Sequence, residues 1–129
     1  MIQSFSAGFI TFVVIDYLWI STFVKPLYLK HLKDVLLLEN QTLGARLVPA
    51  IAFYIIFNLI LFYLSVIKTS SFKEMLVTSC MLGVFSYGTY ALTNFAIIEK
   101  WNLVITLSDI AWGAFISMVT ASVAYYVYN

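Results

Sequence analysis

Charge is scarce in this chain. Charged side chains make up 10% of its 129 residues and hydrophobic ones 63%, where a soluble domain carries about 25% and about 45–50%. So little charge cannot cover a water-exposed surface, and the apolar excess points to a bilayer. The net charge is +1, and the Lys and Arg residues are scattered, which argues against a nucleic-acid partner, since that needs a basic face. The only cysteine, Cys80, lies in an apolar run. One cysteine permits neither an internal disulfide nor a CxxC metal site, and Cys80 reads as a small buried hydrophobe. The only histidine, His31, sits among lysines without a second ligand beside it, so no metal is implied. No cofactor is implied either. The N-terminus has no Lys or Arg ahead of its first apolar run. That run is too long for the core of a signal peptide, and it is expected to stay as a spanning helix.

Long apolar runs are what the chain does have. A spanning helix needs about 20 mostly apolar residues. Four stretches qualify, at 3–24, 46–67, 72–98 and 103–128. They are continuous, unlike the alternating ten-residue segments of a membrane barrel. The expected fold is all-α: one integral membrane domain over 1–129, built as a four-transmembrane-helix bundle.

The links between spans carry their own signals. Lys25-Pro26 reads as the end of the first span, because proline suits the first turn of a new helix. The segment 27–38 is then amphipathic. Tyr28, Leu29, Leu32, Val35 and Leu36 fall on one face, with Lys30, His31, Lys33 and Asp34 on the other. That pattern predicts a short interfacial helix lying in the headgroup layer. Pro49 fits the first turn of the second span, and Arg46 can snorkel to the headgroups. Ser71-Phe72-Lys73-Glu74 has the Ser-x-x-Glu form of a capping box and opens the third span. Trp101 is expected at interface depth, and Tyr125, Tyr126 and Tyr128 as an aromatic belt. The links after the first and third spans hold Lys25, Lys30, Lys33, Arg46 and Lys100, against Lys68 and Lys73 in the other link. This bias puts the first set in the cytoplasm and both termini outside.

Two carboxylates fall inside predicted spans, Asp16 and Asp109. An ionisable group at mid-membrane costs roughly 2.5–3.5 kcal/mol on insertion scales, so it marks a candidate functional site. Asp16 lies about 12 Å before the end of its span and Asp109 about 9 Å after the start of its own, at 1.5 Å per residue. The two helices run in opposite directions, which puts both acids in one half of the bilayer. On the third span Gly83, Tyr87, Tyr90 and Asn94 are spaced i, i+4, i+7, i+11, one helical face. On the second span Tyr54 comes close, with Arg46 above it. On the fourth, Asp109, Gly113, Ser117 and Ala121 form a row of small residues that lets helices approach closely. The expected polar cluster is Asp16, Tyr54, Tyr87, Tyr90, Asn94 and Asp109, with Arg46 at its mouth. Each aspartate is followed three residues on by a tryptophan, Trp19 or Trp112. One turn away, that ring can donate its indole N–H or wall the site.

The run Tyr-Gly-Thr-Tyr-Ala-Leu-Thr-Asn at 87–94, then Trp101, then Asp-Ile-Ala-Trp-Gly at 109–113, resembles small bacterial membrane proteins grouped as domain-of-unknown-function family twenty-one seventy-seven. Asp-Tyr-Leu-Trp at 16–19 and Pro-Ala-Ile-Ala-Phe-Tyr at 49–54 resemble its earlier segments. The resemblance covers nearly the whole chain. It implies four spans in a bacterial inner membrane and brings no activity with it. One departure stands out: the family pattern has aspartate where this chain has Ala91, leaving two carboxylates here rather than three.

Three functions fit these residues. In the first, Asp16 and Asp109 bind or modify a membrane lipid or small apolar molecule, ringed by Trp19, Arg46, Tyr54, Tyr87, Tyr90, Asn94 and Trp112. As an enzyme, one aspartate would act as general base and the other as acid, without the Ser elbow of a hydrolase. In the second, the chain is a proton-coupled transporter. Four helices enclose too narrow a path, so it would work as a homodimer. In the third, the chain is a structural or assembly subunit whose polar residues hold helices together.

Overall fold

The computed structural model describes residues 1–32, 38–39, 42–43 and 46–129. Helix α1 (Ile2–Trp19) passes through a π-helical turn at Ile20–Val24 into α2 (Lys25–Leu32). A two-residue antiparallel pair follows, β1 (Leu38–Glu39) on β2 (Thr42–Leu43). Helix α3 (Leu47–Phe62) ends in a second π-helical turn at Tyr63–Ile67, and α4 (Phe72–Ile97) and α5 (Leu103–Tyr128) complete the chain. Four helical rods are long and apolar enough to cross a membrane: Ile2–Leu32, Leu47–Ile67, Phe72–Ile97 and Leu103–Tyr128.

The interfacial helix expected from the sequence is not found. Lys25-Pro26 does not end the first rod, which runs on to Leu32. The π-helical turn explains how: the N–H of Lys25 reaches back five residues to the Ile20 carbonyl. Such a widened turn absorbs the ring and the missing N–H that proline brings to a helix. The face of α2 that looked lipid-seeking is packed inside. Tyr28 and Leu32 are buried in one cluster with Trp101 and Ile105. Trp101 is therefore buried too. Lys33, Asp34, Val35 and Leu36 of the predicted segment lie outside the described residues.

The remaining helix starts follow their capping chemistry. Ser71 caps α4, its Oγ accepting from the Glu74 N–H at 3.1 Å. The Glu74 carboxylate reaches back one residue further than a capping box requires, to the Ser70 N–H at 3.0 Å. Asn102 caps α5 by accepting from the Ile105 N–H at 2.9 Å.

The surface of the bundle is apolar, as a bilayer solvent demands, and polar side chains are buried inside it beside apolar clusters. Phe85, Ile97 and Val48 are 72%, 80% and 81% exposed. Asp16, Asn58, Thr106, Asp109, Ser117 and Thr120 are buried. Among the described residues, the most extensive helix contact is α4 against α5. There the small-residue row acts as expected: a Cβ on Gly83 would run into the Gly113 carbonyl and the Ser117 hydroxyl. Helices associate in lipid through such close packing, since apolar surface alone gives them no reason to leave the acyl chains.

Candidate functional site: a buried two-carboxylate layer

The first rod buries every fourth residue at its start: Ser4, Gly8, Phe12 and Asp16. The same spacing resumes beyond the π-helical turn with Tyr28 and Leu32. A straight α-helix repeats every 3.6 residues, so a stripe of period four drifts around it. The wider π-helical turn lets the chain extend that stripe along one side of the bundle. Asp16 and Tyr28 both reach α5, at Trp112 and at Asp109 respectively.

Asp16 is held by two donors from two other helices. Tyr54 Oη on α3 donates to Oδ2 at 2.6 Å, and Trp112 Nε1 on α5 donates to Oδ1 at 3.1 Å. Asp109 accepts from Tyr28 Oη at 2.9 Å through its Oδ2. Each aspartate is 6% exposed. The two lie within electrostatic reach of each other, and Tyr87 on α4 is within reach of both. Tyr90 neighbours Tyr28 on one side and Asn94 on the other. Its ring meets that of Trp101 edge-on at 5.6 Å. Trp101 Nε1 in turn donates to Thr106 Oγ1 at 3.1 Å. The polar layer thus joins all four rods.

The tryptophans are arranged crosswise. Trp112 serves the aspartate of α1 rather than its own Asp109, and Trp19 stacks on Trp112 with ring centres 4.4 Å apart and planes 4° apart. Phe23 stacks on the other side of Trp19 at 4.4 Å, and Phe115 packs against Trp112 at 5.6 Å. Phe23 and Phe115 are 38% and 51% exposed. The aromatic ribbon therefore starts and ends at the lipid-facing surface and passes the Asp16 carboxylate in between.

These contacts tie Asp16, Tyr54, Tyr87, Tyr90 and Asn94 to the Asp109–Trp112 turn. The chain belongs to the predicted membrane protein family DUF2177. The family profile matches residues 1–126. No curated protein and no solved structure matches the chain. Ala91 is fully buried inside the bundle.

Of the residues expected at the site, Trp19, Tyr54, Tyr87, Tyr90, Asn94 and Trp112 are gathered around the two aspartates. Arg46 is not: it is exposed at the cap of α3, eight residues and about 12 Å along the helix from Tyr54. Tyr28, Trp101 and Thr106 belong to the layer and were not anticipated there. The signal for Tyr28 was the four-residue period running on past Pro26. Among the described residues no group of three or more His, Cys, Asp or Glu could hold a metal ion.

Tyr28→Phe deletes the hydrogen bond that Tyr28 donates to Asp109, together with the one it shares with Tyr90, while keeping the ring against Trp101. Interhelical hydrogen bonds in membranes average about 0.6 kcal/mol. The substitution should lower stability by about that amount for each bond, read from denaturant unfolding in mixed micelles. A loss beyond about 2 kcal/mol would mean that the ring, not the hydroxyl, had been disturbed.

Proposed function

We propose that this protein is a multi-pass protein of a bacterial inner membrane whose carboxylate layer binds a lipid or a small apolar molecule through a hydrogen-bond-donating or cationic head group. One observation carries the reading. Two carboxylates are buried together, and among the described residues no lysine, arginine or histidine pairs with either. Their neighbours are hydroxyl and indole donors. A group with N–H or O–H donors, or a positive charge, completes such a set. The aromatic ribbon from Phe23 to Phe115 supports approach from the acyl chains, and indole and phenol faces also suit a cationic head. Membrane lipid is the partner that reading calls for. If the ligand is also transformed, Asp16 and Asp109 are the acid–base pair available.

The test is native mass spectrometry of the protein released from nanodiscs, beside Asp109→Asn. An adduct of defined mass, lost in the variant, is the expected result. A bare monomer overturns the reading and leaves the polar layer as helix glue. A bare dimer also overturns it, in favour of a small dimeric proton-coupled transporter. The Lys and Arg bias favours termini on the outer side, and cysteine labelling at either end tests that.

A further inference from the structure

The outer face of the first rod carries a polar group that acyl chains cannot satisfy. Three exposed threonines on these helices turn back to a carbonyl one turn earlier: Thr22 onto Leu18, Thr89 onto Phe85 and Thr93 onto Thr89. That bond satisfies the group without any other partner. Tyrosine cannot use it, because its hydroxyl stands at the far end of a ring. Tyr17 is 68% exposed, and among the described residues its hydroxyl has no hydrogen-bond partner. Depth makes this costly. Tyr17 is the middle residue of the rod Ile2–Leu32, about 22 Å from either end at 1.5 Å per residue. With the rod centred in a hydrocarbon core about 30 Å thick, roughly 15 Å separates Tyr17 from either head-group layer. That is more than a tyrosine side chain spans, and the core holds no water to pair with it.

The residues around Tyr17 form a seam. Ile10, Val14, Tyr17 and Ser21 are all exposed, and they follow one another at intervals of four, three and four. That is the spacing of two helices wound left-handedly about each other, the usual crossing of membrane helices. It differs from the stripe of period four, Ser4, Gly8, Phe12 and Asp16, that the same rod buries inside its own bundle. The exposed face of α3 makes the contrast. It presents Ile51, Ile55, Ile56, Leu59 and Ile60, which acyl chains satisfy in full.

We propose that this seam is a homodimer interface, in which α1 packs parallel to α1 of a second copy with the two Tyr17 side chains paired on the two-fold axis. Copies inserted in the same direction bring equal residues to equal depth, which is what a two-fold axis along the bilayer normal produces. A second copy therefore offers each Tyr17 the one group that is certain to lie at its own level. A phenol hydroxyl can both donate and accept, so one Tyr17 donates to the other. Ser21 is small and lets the two helices draw close beside the π-helical turn, as small residues do between membrane helices. The pairing goes beyond the carboxylate reading and does not depend on it, since a dimer can carry an adduct or lack one.

The test uses the whole chain in liposomes, with Cys80→Ala and an added C-terminal cysteine labelled half with donor and half with acceptor dye. Förster transfer above that of randomly mixed monomers is expected, falling as lipid dilutes the protein. Tyr17→Phe should weaken the dimer about threefold, the loss of one average interhelical hydrogen bond in a membrane. Val14→Trp wedges the seam apart and should weaken it about tenfold or more, since close packing drives association in lipid. Both positions face outward, so the bundle itself is left intact. Disulfide trapping in the Cys80→Ala background locates the contact. Val14→Cys and Ser21→Cys should give covalent dimers on oxidation, while Ile56→Cys on α3 and Phe85→Cys on α4 stay monomeric. Transfer no higher than random mixing, an undisturbed dimer in Tyr17→Phe and Val14→Trp, or trapping at Ile56→Cys or Phe85→Cys in place of the seam overturns the proposal.

Discussion

Gly83→Ala is expected to destabilise the bundle by about 3 kcal/mol, the upper end of the usual cost of overpacking. The added methyl would overlap the Gly113 carbonyl, which is backbone, and Ser117 Oγ beside it. A flexible side chain could swing aside, but a carbonyl inside α5 cannot move without shifting the helix. The pair affected, α4 and α5, makes the most extensive helix contact among the described residues. Gly88→Ala is the matched control, five residues along the same helix. Its methyl would meet only Ile110, at 3.9 Å, an ordinary contact. That change should lie within about 0.5 kcal/mol of the wild type, with the higher helix propensity of alanine on its side. Unfolding in mixed micelles, followed by the fluorescence of Trp19, Trp101 and Trp112, compares the two. If Gly88→Ala proves the more damaging, the register of α4 on α5 is wrong. The effect should also exceed that of Tyr28→Phe, because close packing holds helices together in lipid more firmly than a pair of hydrogen bonds does.

The four rods were legible in the sequence because apolar length is a direct physical requirement of a bilayer. The depth of the polar layer was legible too. Counting 1.5 Å per residue from each helix end placed Asp16 and Asp109 at one level, and the two acids do lie within electrostatic reach of each other. Identifying partners was harder. The spacing Asp-x-x-Trp describes one helix, yet the indole of Trp112 serves the aspartate of another. Side-chain pairing across helices depends on their relative rotation, which periodicity on either one does not fix. Arg46 looked like a guard of the site because it precedes Tyr54 on the same helix, but about 12 Å of helix separates them. The amphipathic pattern after Lys25 misled for a different reason. A face of Tyr28 and Leu32 with lysines opposite suits a membrane surface and also suits a helix packed on Trp101 and Ile105. Only the four-residue stripe that starts at Ser4 and resumes at Tyr28 separates the two, and it requires a π-helical turn that composition does not announce.

Replacing Asp16 in two ways separates binding from glue. Asp16 accepts from Tyr54 on one oxygen and from Trp112 on the other. In Asp16→Asn, one acceptor becomes an NH₂ donor. The Trp112 indole can only donate, so the asparagine oxygen must stay with it. The Tyr54 hydroxyl can rotate and accept from the new NH₂. Both links survive, and the variant should unfold within about 0.5 kcal/mol of the wild type. Asp16→Ala removes both acceptors and leaves a half-buried hydroxyl and a half-buried indole N–H unpaired. That should cost about 2 kcal/mol and change the emission of Trp112. Ligand binding should follow charge instead of stability. Both variants lose the carboxylate, so both should lose the adduct at least tenfold in native mass spectrometry, about 1.4 kcal/mol or more. A fully folded Asp16→Asn that keeps its adduct would reduce Asp16 to a structural acceptor and leave Asp109 to carry the site alone. A folded Asp16→Asn without its adduct shows that the bundle tolerates losing the charge and the ligand does not.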